Sequence, residues 1–177
     1  RDASGFAWLQ AAGAERLAEY GAFSLWEVPD SPGRLRAAVP PRLRRVPTRI
    51  DLRGLLVDTS LSEPEPLLPA TLRASAGQDA EKRLWLIQFA APPQDAWLDG
   101  LRADGQTVVV CFQGPACILW GKPGSAAAGR LGRLARWQGE FHPAYRLHPD
   151  LRPGGSLSAA GTEVEVTVQL VNMPEAQ

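Results

Sequence analysis

The sequence predicts an α+β protein made of antiparallel sheets with helices on one face. Three observations lead to this class. The runs "LWLIQFA" (84–90), "TVVVCF" (107–112) and "ACILWG" (116–121) are strand-sized, rich in β-branched and aromatic residues, and bounded by Gly and Pro. Stretches with helical spacing stand between such runs, "QDAWLDGLRADG" (94–105) among them. The last two runs are joined by "QGP", a connection that fits a tight hairpin and is too short for a parallel crossover.

Taken in chain order, "FAWLQAAGAERLAEYG" (6–21) places Leu9, Gly13, Leu17 and Tyr20 at helical spacing, with Gly21 as a stop. "AFSLWEV" (22–28) alternates and reads as a strand. "SPGRLRAAV" offers Ser31 as an N-cap and Pro32 at the first helical position. "PTRIDLRGLLVDT" (47–59) is a second extended segment. Residues 60–83 are dense in Pro, Ser and Glu and read as a linker or long surface connection. Next come the strand at 84–90, the helix at 94–105 with Trp97, Leu98 and Leu101 apolar, and the hairpin. A second helix is expected over 125–135, with Leu131, Leu134 and Ala135 on one side, and a last extended piece over 139–147. The order β-α-β-β-α-β is that of a split βαβ, or ferredoxin-like, unit. After a further loop, "EVEVTVQLV" (163–171) alternates strictly, as a half-buried strand does.

"LQAAGAERLAEYGAFSLWEVP" (9–29) matches "LRADGQTVVVCFQGPACILWGKP" (101–123), pairing Gly13 with Gly105 and Trp26 with Trp120. On this repeat, "ERLAEYG" becomes a strand, and residues 1–59 form a ferredoxin-like unit lacking its first strand. The fold class is therefore tandem ferredoxin-like: 1–59 incomplete, 60–83 linker, 84–150 complete, 151–162 linker. Residues 163–177 supply either the first strand of a further unit or the strand that completes the first. An orphan sheet edge invites such a strand.

Net charge is zero, with 19 basic and 19 acidic residues. Nothing in that balance calls for nucleic acid or an anionic membrane as partner. No apolar run approaches the roughly 18 residues of a membrane span. The chain begins at Arg1 without a signal-peptide layout, so it is expected to be a processed product or part of something longer.

Several stretches resemble the N-terminal region of large bacterial subtilisin-like serine proteases. They are "RLWLIQFAAPPQDAWLDGLRADGQTVVVCFQGPACILWG", "GEFHPAYRLHPDLR", "YGAFSLWEVP" and "VEVTVQLV". The resemblance implies a propeptide-like, ferredoxin-like module that assists folding of the protease domain and inhibits it by docking the open face of its sheet. Carried onto residues 84–147, the docking face would hold Val108, Val110, Ile118 and Trp120, with Val109, Cys111, Cys117 and Leu119 on the other side. The hairpin departs from the family pattern at Cys111 and Cys117, where Gly or Tyr is expected. The resemblance implies a secreted protein whose partner is a subtilisin-like protease domain.

The triad segments of that family are absent, and "VDTS" (57–60) lacks the following glycine, so no catalytic residue is assigned. His142 and His148, with Asp150 and Cys117, lack metal-ligand spacing and read as shaping an extended segment; no metal or cofactor is expected. "SEPEP" (62–66) is too loosely held for two-carboxylate chemistry. The six tryptophans read as core. Cys111 and Cys117 face one another if "QGP" is the hairpin tip. A bond between them would mark an oxidising destination, and free thiols would not. Both faces of that hairpin are apolar, so the side opposite the helices needs a cover.

Overall fold

The computed structural model describes residues 3–29, 43–74, 82–112, 114–124, 131–158, 161 and 163–170. It is α+β with small antiparallel sheets. Helix α1 (Ala3–Ala11) turns through Gly13, at φ 68°, into a hairpin of β1 (Glu15–Glu19) and β2 (Ser24–Glu27). The repeat's strand assignment for "ERLAEYG" matches β1, and the helical spacing carried through Tyr20 does not. Glycine at the left-handed position stops the helix at no steric cost.

The segment read as one extended piece over 47–59 is a hairpin, β3 (Arg49–Leu52) and β4 (Leu55–Asp58). Its turn residues Arg53 and Gly54 both have positive φ, 55° and 82°, as a two-residue turn matched to strand twist requires. The Asp51 carboxylate accepts the Gly54 N–H at 2.6 Å and helps hold the arginine in that conformation.

The central sheet contains β5 (Arg83–Phe89), β6 (Thr107–Cys111), β7 (Ala116–Gly121) and β8 (Ala135–Glu140), in the order β6-β7-β5-β8 with every pairing antiparallel. Helix α2 (Asp95–Ala103) connects β5 to β6. Gln94 precedes it in extended conformation, Asp95 sits in its first turn, and Trp97 and Leu101 are buried one turn apart on its inner face. Beyond β8, α3 (Pro143–Arg146) is a single turn, followed by a 3-10 turn at Pro149–Leu151.

Here the expected boundaries shift. Of the helix expected over 125–135, residues 125–130 lie outside the described residues, Gly132–Leu134 is a 3-10 turn, and Ala135 already begins β8. The extended piece expected over 139–147 is the end of β8 and then α3. His142 is extended (φ −61°, ψ 148°), as a residue before proline should be, but Pro143 then opens a helix rather than continuing the strand. The helix expected after Ser31 and Pro32 lies outside the described residues.

Each face of the central sheet has its own apolar cluster. On the α2 side, Trp85, Ile87, Phe89, Cys117 and Leu119 pack with Trp97 and Leu101, and the β1–β2 hairpin adds Leu25 with Leu17, Ala18 and Tyr20. On the other side, Leu86, Ala116 and Ile118 pack with Ile50, Leu52 and Val57 of the β3–β4 hairpin, Leu68 and Leu72, and Phe141, Ala144 and Tyr145. The two N-terminal hairpins thus pack on opposite faces of one sheet, and residues on both sides of the 60–83 segment meet in both clusters. Residues 163–170 make no strand ladder with β1–β4, and Val164, Val166, Val168 and Leu170 are 37%, 51%, 71% and 85% exposed. Completion of the first unit by this strand is therefore not what the structure forms. Among the described residues, none buries these side chains.

One glycine tests the packing on the α2 side. Gln106 is buried, accepts the Trp85 indole N–H at 3.2 Å and donates to the Lys122 carbonyl at 3.0 Å. A Cβ on Gly121 would lie 2.6 Å from the Gln106 Cδ, whereas one on Gly100 in α2 meets nothing within 4 Å. Gly121→Ala should therefore destabilise by about 1–3 kcal/mol through overpacking. Gly100→Ala should be stabilising by about 0.5–1 kcal/mol through helix propensity. Urea unfolding of the two variants beside the parent checks both signs.

Candidate functional site

Cys111 and Cys117 stand directly opposite on β6 and β7, 4.0 Å apart at Cα, and form a disulfide. Cys117 is fully buried in the cluster on the α2 side, and Cys111 packs at its margin. The bond ties the edge strand β6 to the sheet at the turn end of the hairpin, closing a loop short enough to contribute about 2 kcal/mol on the chain-entropy model.

The four residues expected to form a docking face do not share one. The β6–β7 register shifts between Val108 and Val110, so Val109 is a bulge. Val108 therefore opposes Leu119 and packs on the α2 side, while Val109 joins the other cluster. Ile118 is 8% exposed beneath the β3–β4 cover, Trp120 is half-buried, and only Val110, at 47%, faces solvent. Strict alternation across an edge strand fails wherever one extra residue is inserted.

The face opposite α2 is covered by the chain itself, and three polar side chains fix the cover. Gln88, fully buried in β5, donates its amide to the Pro47 carbonyl at 3.2 Å and accepts the Thr59 hydroxyl at 2.5 Å, locking the base of the β3–β4 hairpin to the sheet. His142, 6% exposed, accepts the Ala74 N–H at Nδ1 (3.0 Å) and places Nε2 2.8 Å from Glu65. An Nδ1 that accepts a backbone N–H leaves the proton on Nε2, which donates to the carboxylate. Both ring nitrogens are thus engaged in holding 65–74 against the end of the sheet, and neither is left as a base. Arg152 donates to the carbonyls of Leu52 (3.2 Å), Arg53 (2.8 Å) and Leu147 (3.1 Å), tying the C-terminal loop to the β3–β4 turn.

The structure separates the remaining sequence candidates. His148 is exposed and caps the Pro149–Leu151 turn through its contact with the Asp150 N–H, so it does not join His142. Among the described residues, no three His, Cys, Asp or Glu side chains stand close enough to hold a metal ion. Asp58 of "VDTS" accepts the Ser60 hydroxyl (2.6 Å) and N–H (3.1 Å) and pairs with Arg49 (3.1 Å), a turn rather than a nucleophile site. These bonds to Ser60, first its hydroxyl, hold the Asp58 carboxyl far below the usual carboxylate range. Within "SEPEP", Glu65 is fixed by His142, contrary to the loosely held side chain expected. Burial, with the Glu65 charge nearby, raises the Tyr145 phenol well above its ordinary value, and its hydroxyl has no hydrogen-bond partner among the described residues. Trp85 and Trp97 are core, and the other four are only partly buried.

A shallow cleft of about 480 Å³ lies between this cover and the outer part of β8. It is lined by Pro64, Pro66 and Trp137, with Glu63, Arg73 and Gln138 among its polar groups. Sequence reasoning missed Gln88, Glu65 and Arg152. Only Gln88 left a signal, a lone polar residue inside "LWLIQFA". The chain matches no protein-family model, no curated protein and no solved structure.

Two outcomes follow from these contacts. His142→Ala should cost about 1–3 kcal/mol, because it strands the Ala74 N–H and the Glu65 carboxylate, and it should make residues 60–74 newly sensitive to limited proteolysis. Asp58 has a folded-state pKa below its unfolded value of 3.8, so its stabilisation is complete above that value and drains away as the pH falls toward the folded pKa. Asp58→Asn should therefore flatten the acid limb of a stability–pH profile below about pH 4.

Proposed function

We propose that the chain is a non-catalytic pro-region of a secreted subtilisin-like serine protease, aiding the folding of the protease domain and restraining it. The observation that carries this reading is the strand order β6-β7-β5-β8, all antiparallel, with α2 bridging β5 and β6. That is the order of a split βαβ, ferredoxin-like sheet, the fold the resemblance implies for residues 84–150. On this reading residues 43–74 serve the sheet as its cover, and the β1–β2 hairpin extends the layer that carries α2. The Cys111–Cys117 bond supports an oxidising destination. No helix among the described residues is long and apolar enough to cross a membrane.

The covered second face constrains how such a pro-region would act. Leu86, Ile118 and Ala116 are already buried in cis, so docking would use what stays exposed, such as Val110 on the β6 edge, rather than the flat of the sheet. The same observation favours a second reading, a self-contained extracellular module that binds other proteins and needs no protease to bury its core.

Refolding a subtilase domain with and without this chain separates the two. A pro-region should raise the yield of active protease and slow peptide hydrolysis by the refolded enzyme. Unchanged yield together with undiminished hydrolysis would remove the pro-region reading and leave the binding module.

A further inference from the structure

We propose that residues 163–170 are a donor strand that adds to the outer edge of β8 in a second copy of this chain. The inference does not depend on the protease reading. The donor carries no secondary structure of its own and alternates Val164, Val166, Val168 and Leu170 with Glu163, Glu165, Thr167 and Gln169. Each of the eight is exposed, and none takes part in a ladder. A strand with one apolar side and unpaired backbone groups is a template for pairing.

The acceptor is β8, which among the described residues is an edge strand paired only with β5. Among the described residues, 136–140 make no backbone hydrogen bond outside the sheet. Trp137 points to the covered face and forms one wall of the cleft with Pro64 and Pro66, which gives the valines of an added strand an apolar surface. Arg136 is exposed and has no ion-pair partner among the described residues. The other open edge, β6, carries its bulge in the middle of the strand and offers Thr107, three valines and Cys111 without a cation for the glutamates. Strand β8 has its own irregularity near its start, where Arg136 is the residue bulged between Ala135 and Trp137, and its regular ladder runs over 137–140.

Charge sets the direction. An added strand must place its valines beside Trp137 and Gly139 and span 136–140. Both antiparallel registers that do so oppose Glu163 or Glu165 to Glu140. Both parallel registers instead put a glutamate beside Arg136 and leave Thr167 or Gln169 beside Glu140. The Glu140 carboxylate is already paired with Arg83, so the direction rests on the exposed Arg136, which only the parallel registers bring beside a glutamate, and the strand runs parallel to β8. Each copy holds one free strand and one free edge, so exchange about a two-fold axis satisfies both and closes at a dimer.

Sedimentation velocity of the whole chain over roughly 1–200 µM tests this, a range that brackets a dissociation constant of tens of micromolar. A dimer that dissociates on dilution is expected. The Val166→Lys, Val168→Lys double variant should stay monomeric and, at concentrations where the parent is also monomeric, melt as the parent does, because these side chains lie outside both cores. Arg136→Glu should weaken the dimer about tenfold, and adding Glu163→Arg and Glu165→Arg should recover most of that loss. A monomer at every concentration, or a dimer indifferent to the lysines, would overturn the proposal. So would a monomer whose 136–140 amides are protected from hydrogen exchange in the parent and lose protection in the lysine variant, since the strand would then be pairing within its own chain.

Discussion

Strand β5 sends Trp85, Ile87 and Phe89 to one side and Leu86 and Gln88 to the other, and all five are at most 1% exposed. A strand apolar on both faces cannot sit in a sheet that is open to water on one side, so the molecule needs two covers. Helix α2 and the β1–β2 hairpin supply the first, and the β3–β4 hairpin with residues 60–74 and 141–145 supplies the second. Two short hairpins that would be marginal in isolation gain stability by lying on a larger apolar surface.

Apolar contact alone would let these covers slide. A buried polar group fixes register, because misplacing it leaves a desolvated donor or acceptor unpaired. Gln88, Gln106 and His142 play that part at three places, each joining the central sheet or its immediate continuation to a segment distant in sequence or across a turn. The disulfide does the same for the edge strand β6, which among the described residues pairs only with β7. Polar atoms are few in the two clusters, and their placement decides where each cover rests.

The sequence made the central sheet legible because its strands are either continuously apolar or separated by strong turn signals. It also made legible that both faces of the β6–β7 hairpin need covering. What covers the second face was not legible, since Ile50, Leu52, Val57, Leu68 and Leu72 are spread over segments that read as one strand and a linker. Their role is set by contacts with β5 and β7, not by local pattern. The expected docking set failed for a local reason, since the bulge at Val109 leaves no mark in a run of three valines. Pro143 misled differently, by following an extended residue and then starting a helix. The fixed position of Glu65 arises from His142, 77 residues away, and no windowed reading of "SEPEP" contains that partner.

Arg152 has a bearing on where the chain can be cut. Its guanidinium reaches the carbonyls of Leu52, Arg53 and Leu147, so a residue beyond α3 completes the turn of a hairpin a hundred positions earlier. On a ribosome, the β3–β4 hairpin emerges long before its sheet and longer still before this staple. The second face therefore stays open until β8, α3 and the following loop have all been made. Fragments ending inside 83–152 would leave an apolar surface that a chaperone could hold or a neighbouring chain could capture. The piece that keeps both covers runs from the β1–β2 hairpin, whose Leu17, Tyr20 and Leu25 pack on the α2 side, through Arg152. For dissection, expression and circular permutation, the indivisible unit is this stretch rather than either of the parts its linker-like middle suggests.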